Sequence, residues 1–115
     1  MDTPTSDSID QPRDTRLADM ANNLCGVIKG GIGPALVASR LESLGWKTSS
    51  ASWYSYEAET LWCRIEIDQT DDGTTLINGV IDPHRTDDLA TLLARSGWQH
   101  SLELYDENDE LVERP

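Results

Sequence analysis

The sequence predicts an α+β domain of two layers in the order α-α-β-β-β-α-β-β, an antiparallel sheet with its helices on one face. Three observations predict it. Two leucine-bearing segments close on the same pair, LESLGWK at Gly45-Trp46 and LARSGWQ at Gly97-Trp98, and each reads as an amphipathic helix running into a strand. Between and after them lie runs that alternate apolar and polar residues, the period of a half-buried strand. An Asp-Gly pair, Asp72-Gly73, separates two such runs and marks an antiparallel hairpin.

The elements follow in order. Residues 1–15, MDTPTSDSIDQPRDT, are rich in Thr, Ser, Asp and Pro and hold too little apolar surface to offset the entropy of ordering, so they predict a disordered tail ahead of a single domain spanning 16–115. From Arg16, the spacing of Leu17, Met20, Ala21, Leu24, Cys25 and Ile28 is that of a helical stripe, stopped by Gly30-Gly31. Gly33-Pro34 opens the next helix, because proline lacks the N–H that a first turn leaves unpaired. Leu36, Val37, Leu41 and Leu44 mark one face of it, and Gly45 ends it as a residue able to take a left-handed conformation.

Three strands are then expected, over Lys47–Tyr56, Leu61–Asp68 and Thr74–Ile81. In the second, Leu61, Cys63, Ile65 and Ile67 point inward and Trp62, Arg64 and Glu66 outward. Asp82-Pro83 opens a helix with Asp87 and Asp88 in its positive first turn and Leu89, Leu92 and Leu93 on its buried stripe. After Gly97-Trp98, a fourth strand alternates His100, Leu102 and Leu104 with Ser101, Glu103 and Tyr105. DEND turns into a fifth around Leu111-Val112. The Gly-Trp repetition reads as one helix-to-strand junction used twice, since the strands that follow do not match.

Composition narrows the function. A formal charge of −12 argues against a phosphate-binding surface and favours a basic or lysine-bearing partner, so no nucleic acid is expected. No apolar run approaches the roughly 20 residues of a membrane span, and nothing resembles a secretory signal. Cys25 and Cys63 are too few for a disulfide framework, which predicts a cytoplasmic protein with reduced thiols. The acid clusters Asp68/Asp71/Asp72 and Asp106/Glu107/Asp109/Glu110 lack calcium-loop spacing, and His84 and His100 lack zinc-ligand spacing, so neither metal nor cofactor is expected. IKGGIGP lacks the Gly-Lys-Ser/Thr ending of a phosphate loop and reads as an inter-helix turn. Cys63 reads as a core residue, a nucleophile only if a base such as His100 stands beside it.

The stretch SASWYSYEAETLWCRIE departs from structural need, with Trp53, Tyr54, Tyr56 and Trp62 within ten residues. Strand parity sets Trp53 opposite both tyrosines, so some of these rings face outward. Exposed rings interleaved with Glu57, Glu59, Arg64 and Glu66 suit an extended polypeptide whose lysines or arginines meet the acids. A homodimer interface is the rival use of the same rings.

The element order from Pro34 to Val112 is similar to that of type III secretion chaperones and their actinobacterial relatives, which are small, acidic, mostly dimeric and bind polypeptide. That resemblance implies a homodimer escorting a protein. A second resemblance, carried by YEAETLWCRIEID and LELYDENDELV with the small size and acidity, is to the accessory proteins of actinobacterial cinnamycin- and duramycin-type lanthipeptide pathways, which close a lysinoalanine bridge. It implies that Glu57, Glu59 or Glu66 orients the lysine or takes its proton while Arg64 or His100 stabilises the enolate, with Trp53, Tyr54, Tyr56 and Trp62 holding the peptide. From a different class, an immunity protein that neutralises a basic toxin fits size and charge, needing only an acidic face.

Overall fold

The computed structural model describes Leu17 and residues 20–115, so the expected tail over 1–15 and the start of the first expected helix lie outside the described residues. The elements are β1 (Leu24–Ile28), α1 (Pro34–Ser43), β2 (Lys47–Ser50), β3 (Ser55–Thr60), β4 (Cys63–Gln69), β5 (Thr75–Ile81), a 3-10 turn (Pro83–Arg85), α2 (Thr86–Arg95), β6 (His100–Tyr105) and β7 (Leu111–Glu113). Among the described residues seven strands join in one antiparallel sheet, in the order β2-β3-β4-β5-β1-β6-β7. The α+β class, with helices layered on one face, is as the sequence predicts. No helix among the described residues is long and apolar enough to cross a membrane.

One segment is corrected. Leu24–Ile28, expected as the second half of a helix, is the central strand β1, paired with β5 on one side and β6 on the other. Its Leu24, Gly26 and Ile28 are buried at period two while Cys25 and Val27 are half-buried. Glycine fits there without displacing its neighbours, since a Cβ would meet the Leu102 side chain at 2.5 Å and the Ser101 carbonyl oxygen at 3.0 Å. A second correction divides the strand expected over Lys47–Tyr56. A turn at Ala51–Tyr54 separates β2 from β3.

The core lies between the helices and one sheet face. Val37, Ala38 and Leu41 of α1 and Leu89 and Leu93 of α2 pack with Leu24, Ile28, Cys63, Ile65, Ile67, Ile77, Ile81, Leu102 and Leu104. Helices α1 and α2 end in the same hydrogen-bonded stop. Gly45 (φ +99°) donates its N–H to Glu42 O and Trp46 donates to Leu41 O. Gly97 (φ +82°) donates to Ala94 O and Trp98 to Leu93 O. This paired arrangement satisfies carbonyls that a helix end otherwise orphans, and only glycine takes its conformation without strain. Trp46 thereby enters the core, 5% exposed.

Two polar devices hold the sheet, one at each end of β5. Asn23 is buried, and its side-chain amide donates to Ile81 O at 2.9 Å while its carbonyl accepts from Ile81 N–H at 2.9 Å, copying a strand beyond the end of β1. In the β4–β5 turn, hydrogen bonds from Thr70 and Thr74 hold the Asp72 carboxyl well below the usual range, at about 2.

Gly79→Ala would be the most damaging single-methyl change. Its Cβ would stand 2.1 Å from the Arg64 carbonyl oxygen, a backbone atom that cannot turn aside, so a loss of about 3 kcal/mol or more in urea unfolding is expected. For Asp72 the folded pKa is depressed, so its contribution is present above the unfolded value of 3.8 and vanishes as pH falls to about 2. The stability gap between wild type and Asp72→Ala should close across that window in acid titrations followed by circular dichroism.

Candidate functional site

The candidate site follows from strand parity. Ile65 and Ile67 of β4 face the helices, so Arg64, Glu66 and Asp68 face the other way. Register carries that parity across the sheet. One row on the open face runs Lys47, Glu59, Arg64, Val80; the next runs Ser49, Glu57, Glu66, Asn78, Cys25, Glu103; a third runs Ser55, Asp68, Leu76, Val27, Ser101. Glu57, Glu59, Arg64 and Glu66 therefore share one surface, as their expected common role requires. Glu57, Arg64 and Glu66, with Asn22, Asn78 and Val80, line a shallow depression of about 230 Å³ there.

Two of these pairings differ in sense. Glu59 stands directly across from Arg64, an opposite-charge pair, whereas Glu57 stands directly across from Glu66. Like charges in that position repel, and the sheet retains them. No ion pair to Glu57, Glu59, Arg64 or Glu66 forms among the described residues, so these charges are turned to solvent. At the far side of the same face Tyr105 donates a 2.7 Å hydrogen bond to Glu103, which holds that carboxyl below its usual range. Among the described residues no group of three or more His, Cys, Asp or Glu side chains is placed to hold a metal ion.

Trp53 and Tyr54 occupy the tip of the β2–β3 hairpin, 92% and 69% exposed. The tip is held by polar backbone contacts, with Ala51 and Ser52 N–H donating to Ser55 O and Tyr54 N–H to the Ser52 hydroxyl. The rings are left free of that framework.

The remaining expected residues lie elsewhere. Tyr56 is opposite Ile67 and so faces the helices, half-buried against the core. Trp62, in the β3–β4 turn, packs edge-on against Trp46 at 5.5 Å between centroids, and the Arg85 guanidinium lies 5.1 Å above it. That makes Trp62 part of the scaffold. His100 pairs with Ile28, which points to the helices, so the sheet separates it from Arg64 and Glu66. Its ring nitrogen lies 3.2 Å from Trp98 O. The three residues expected to act together as Glu66, Arg64 and His100 thus share no reacting centre. Tyr56 and Glu66 lie on opposite faces of the sheet, so Trp53, Tyr54, Tyr56 and Glu66 do not wall one groove. Cys63 is fully buried, and desolvation pushes its thiol far above the ordinary range, which removes it as a nucleophile.

Sequence reading missed Lys47, Ser49 and Asn78, which complete the open-face rows. The signal for them is register, which links residues far apart in the chain. The chain matches no protein-family model, no curated protein and no solved structure.

If the Glu57/Glu66 opposition is kept at a cost to the fold, relieving it should stabilise the protein. Glu66→Gln is expected to raise the unfolding free energy by about 0.3–1 kcal/mol at low salt, and the gain should shrink at high salt. Urea melts at two ionic strengths measure both.

Proposed function

We propose that this protein binds an extended, basic segment of a partner polypeptide through the β2–β3 hairpin tip and the acidic open face, acting as a cytoplasmic accessory or escort protein. The observation that carries this reading is the tip itself: Trp53 and Tyr54 stand exposed beside a face bearing Glu57, Glu59, Glu66 and Asp68. Trp and Tyr are the residue types that most often anchor an interface, because covering one ring removes roughly 150–250 Å² from water at small cost in side-chain freedom. Lysine and arginine suit both parts of the surface, stacking on the rings and pairing with the carboxylates. The net charge of −12 would speed encounter with such a partner at low salt.

A second reading has its own support. Among the described residues the depression at Glu57, Arg64 and Glu66 does not extend to the Trp53 and Tyr54 rings, an arrangement that suits an immunity protein laid across the active site of a basic toxin. Lysinoalanine closure, the finer enzymatic form of the first reading, would have to rely on Glu66 and Arg64 in the open-face depression without His100. Incubation with dehydrated lanthipeptide precursor tests it, by loss of the lysine amine at constant mass.

Titration calorimetry with a lysine-rich peptide tests the leading reading. Trp53→Ala with Tyr54→Ala should weaken binding at least about tenfold at every salt concentration. Glu57→Gln with Glu66→Gln should mainly flatten its salt dependence. Binding indifferent to both double variants would exclude this surface.

A further inference from the structure

We propose that the partner segment docks as an added β-strand on the free edge of β2, with a lysine or arginine opposite Ser49. This rests on the polypeptide-binding reading and specifies its geometry. Ala51 donates its N–H to Ser55 O at 2.9 Å, which makes residues 51 and 55 a hydrogen-bonded pair of the β2–β3 ladder. Antiparallel ladders alternate such pairs with non-bonded ones, so Ser49 bonds to Glu57 and Lys47 to Glu59, while Thr48 and Ser50 turn their backbone groups outward. Among the described residues those outward N–H and C=O groups have no partner.

The two edges of the sheet differ in a way that selects β2. Strand β7 has three residues, a register shift against β6 and acidic neighbours from Asp106 to Glu110, the features that keep an edge from pairing. Strand β2 runs in unbroken register from Lys47 to Ser50. Its side chains Thr48, Ser49 and Ser50 are short enough to let another backbone approach.

Register also sets which side chain the added strand should carry. A residue opposite Ser49 extends the row Ser49, Glu57, Glu66 on the open face. Serine offers little obstruction, and the Glu57 backbone lies about 9.6 Å, two strand spacings, from the added strand. A lysine or arginine side chain lying over Ser49 spans that gap to the Glu57 carboxylate, supplying the cation that the facing Glu57 and Glu66 lack. Two residues along, the position opposite Lys47 disfavours a second cation. Past Ser50 the partner chain meets the Trp53 and Tyr54 rings at the tip.

The test uses the full chain and a short Thr/Val-rich peptide with one central lysine, followed by amide hydrogen exchange and calorimetry. Peptide should slow exchange at Thr48 and Ser50 by about tenfold or more, leaving Lys47 and Ser49, already bonded to β3, unchanged. Thr48→Pro leaves the β2–β3 ladder intact, because the Thr48 N–H is outward on an edge strand, and also removes a half-buried side chain, so its melting point should fall slightly while its affinity falls about tenfold. N-methylation of the peptide's edge-facing amides should do the same with the wild-type protein, free of any folding effect. Moving the lysine by one residue should cost several-fold and Glu57→Gln should erase that preference. Peptide binding that needs Trp53 yet ignores Thr48→Pro and N-methylation would overturn strand addition while polypeptide binding stands. No binding to any lysine-bearing peptide would sink both. Protection of Thr48 and Ser50 that rises with protein concentration alone would assign the edge to a second copy and also overturn the proposal.

Discussion

The pairing of β1 with both β5 and β6 is the constraint on which the architecture depends. Strands β2 to β5 follow one another as hairpins, and β6 and β7 form another. Among the described residues Leu24–Ile28 with the adjoining Asn23 joins these two sets, reaching Thr75–Gly79 on one side and His100–Leu104 on the other. Because parity passes through this strand, it also decides that Leu102 and Leu104 face the same helices as Ile65 and Ile67. Gly26 leaves room for the Leu102 side chain, and Asn23 extends the junction by bonding both backbone polar groups of Ile81.

That same strand shows where sequence reading reached its limit. Leu17, Met20, Ala21, Leu24, Cys25 and Ile28 satisfy a helical spacing, while Leu24, Gly26 and Ile28 satisfy the spacing of a strand. A short apolar run carries too few residues for periodicity alone to separate the two. Two local features favoured the strand: a glycine at the centre, costly inside a helix, and the β-branched pair Val27-Ile28. By contrast, the two Gly-Trp closures, the alternation in β4 and the Asp72-Gly73 turn were legible, because each is a local device whose chemistry is complete within a few residues. The break between β2 and β3 was not, since SASWYS contains neither Gly nor Pro and its turn is held by serine hydroxyl and backbone contacts.

The site divides along the same line. That Glu57, Glu59, Arg64 and Glu66 share a face was legible from parity within adjoining strands. That Glu57 faces Glu66 was not, because hairpin register depends on the length of the β3–β4 turn. His100 and Tyr56 were placed by elements distant in sequence, and Trp62 by its contacts with Trp46 and Arg85. The four tryptophans thus fall into two kinds: Trp46, Trp62 and Trp98 are packed wholly or partly against the core, and only Trp53 stands clear of it.

The position of the charged face reflects what each strand can afford. Central strands β5 and β1 carry Leu76, Asn78, Cys25 and Val27 on the open side, neutral residues that leave their ladders undisturbed. The carboxylate opposition is confined to β3 and β4, where each strand is also paired on its other side and α1 packs beneath both. Repulsion of a few tenths of a kcal/mol is tolerable there, because burial of Ala58, Ile65 and Ile67 on the reverse face exceeds it severalfold. At the edge strand β2, with only one ladder neighbour, the outward groups are small hydroxyls and one lysine. Charge density therefore sits one strand inside the margin, leaving the margin itself open to a backbone and the interior able to meet that backbone's side chains.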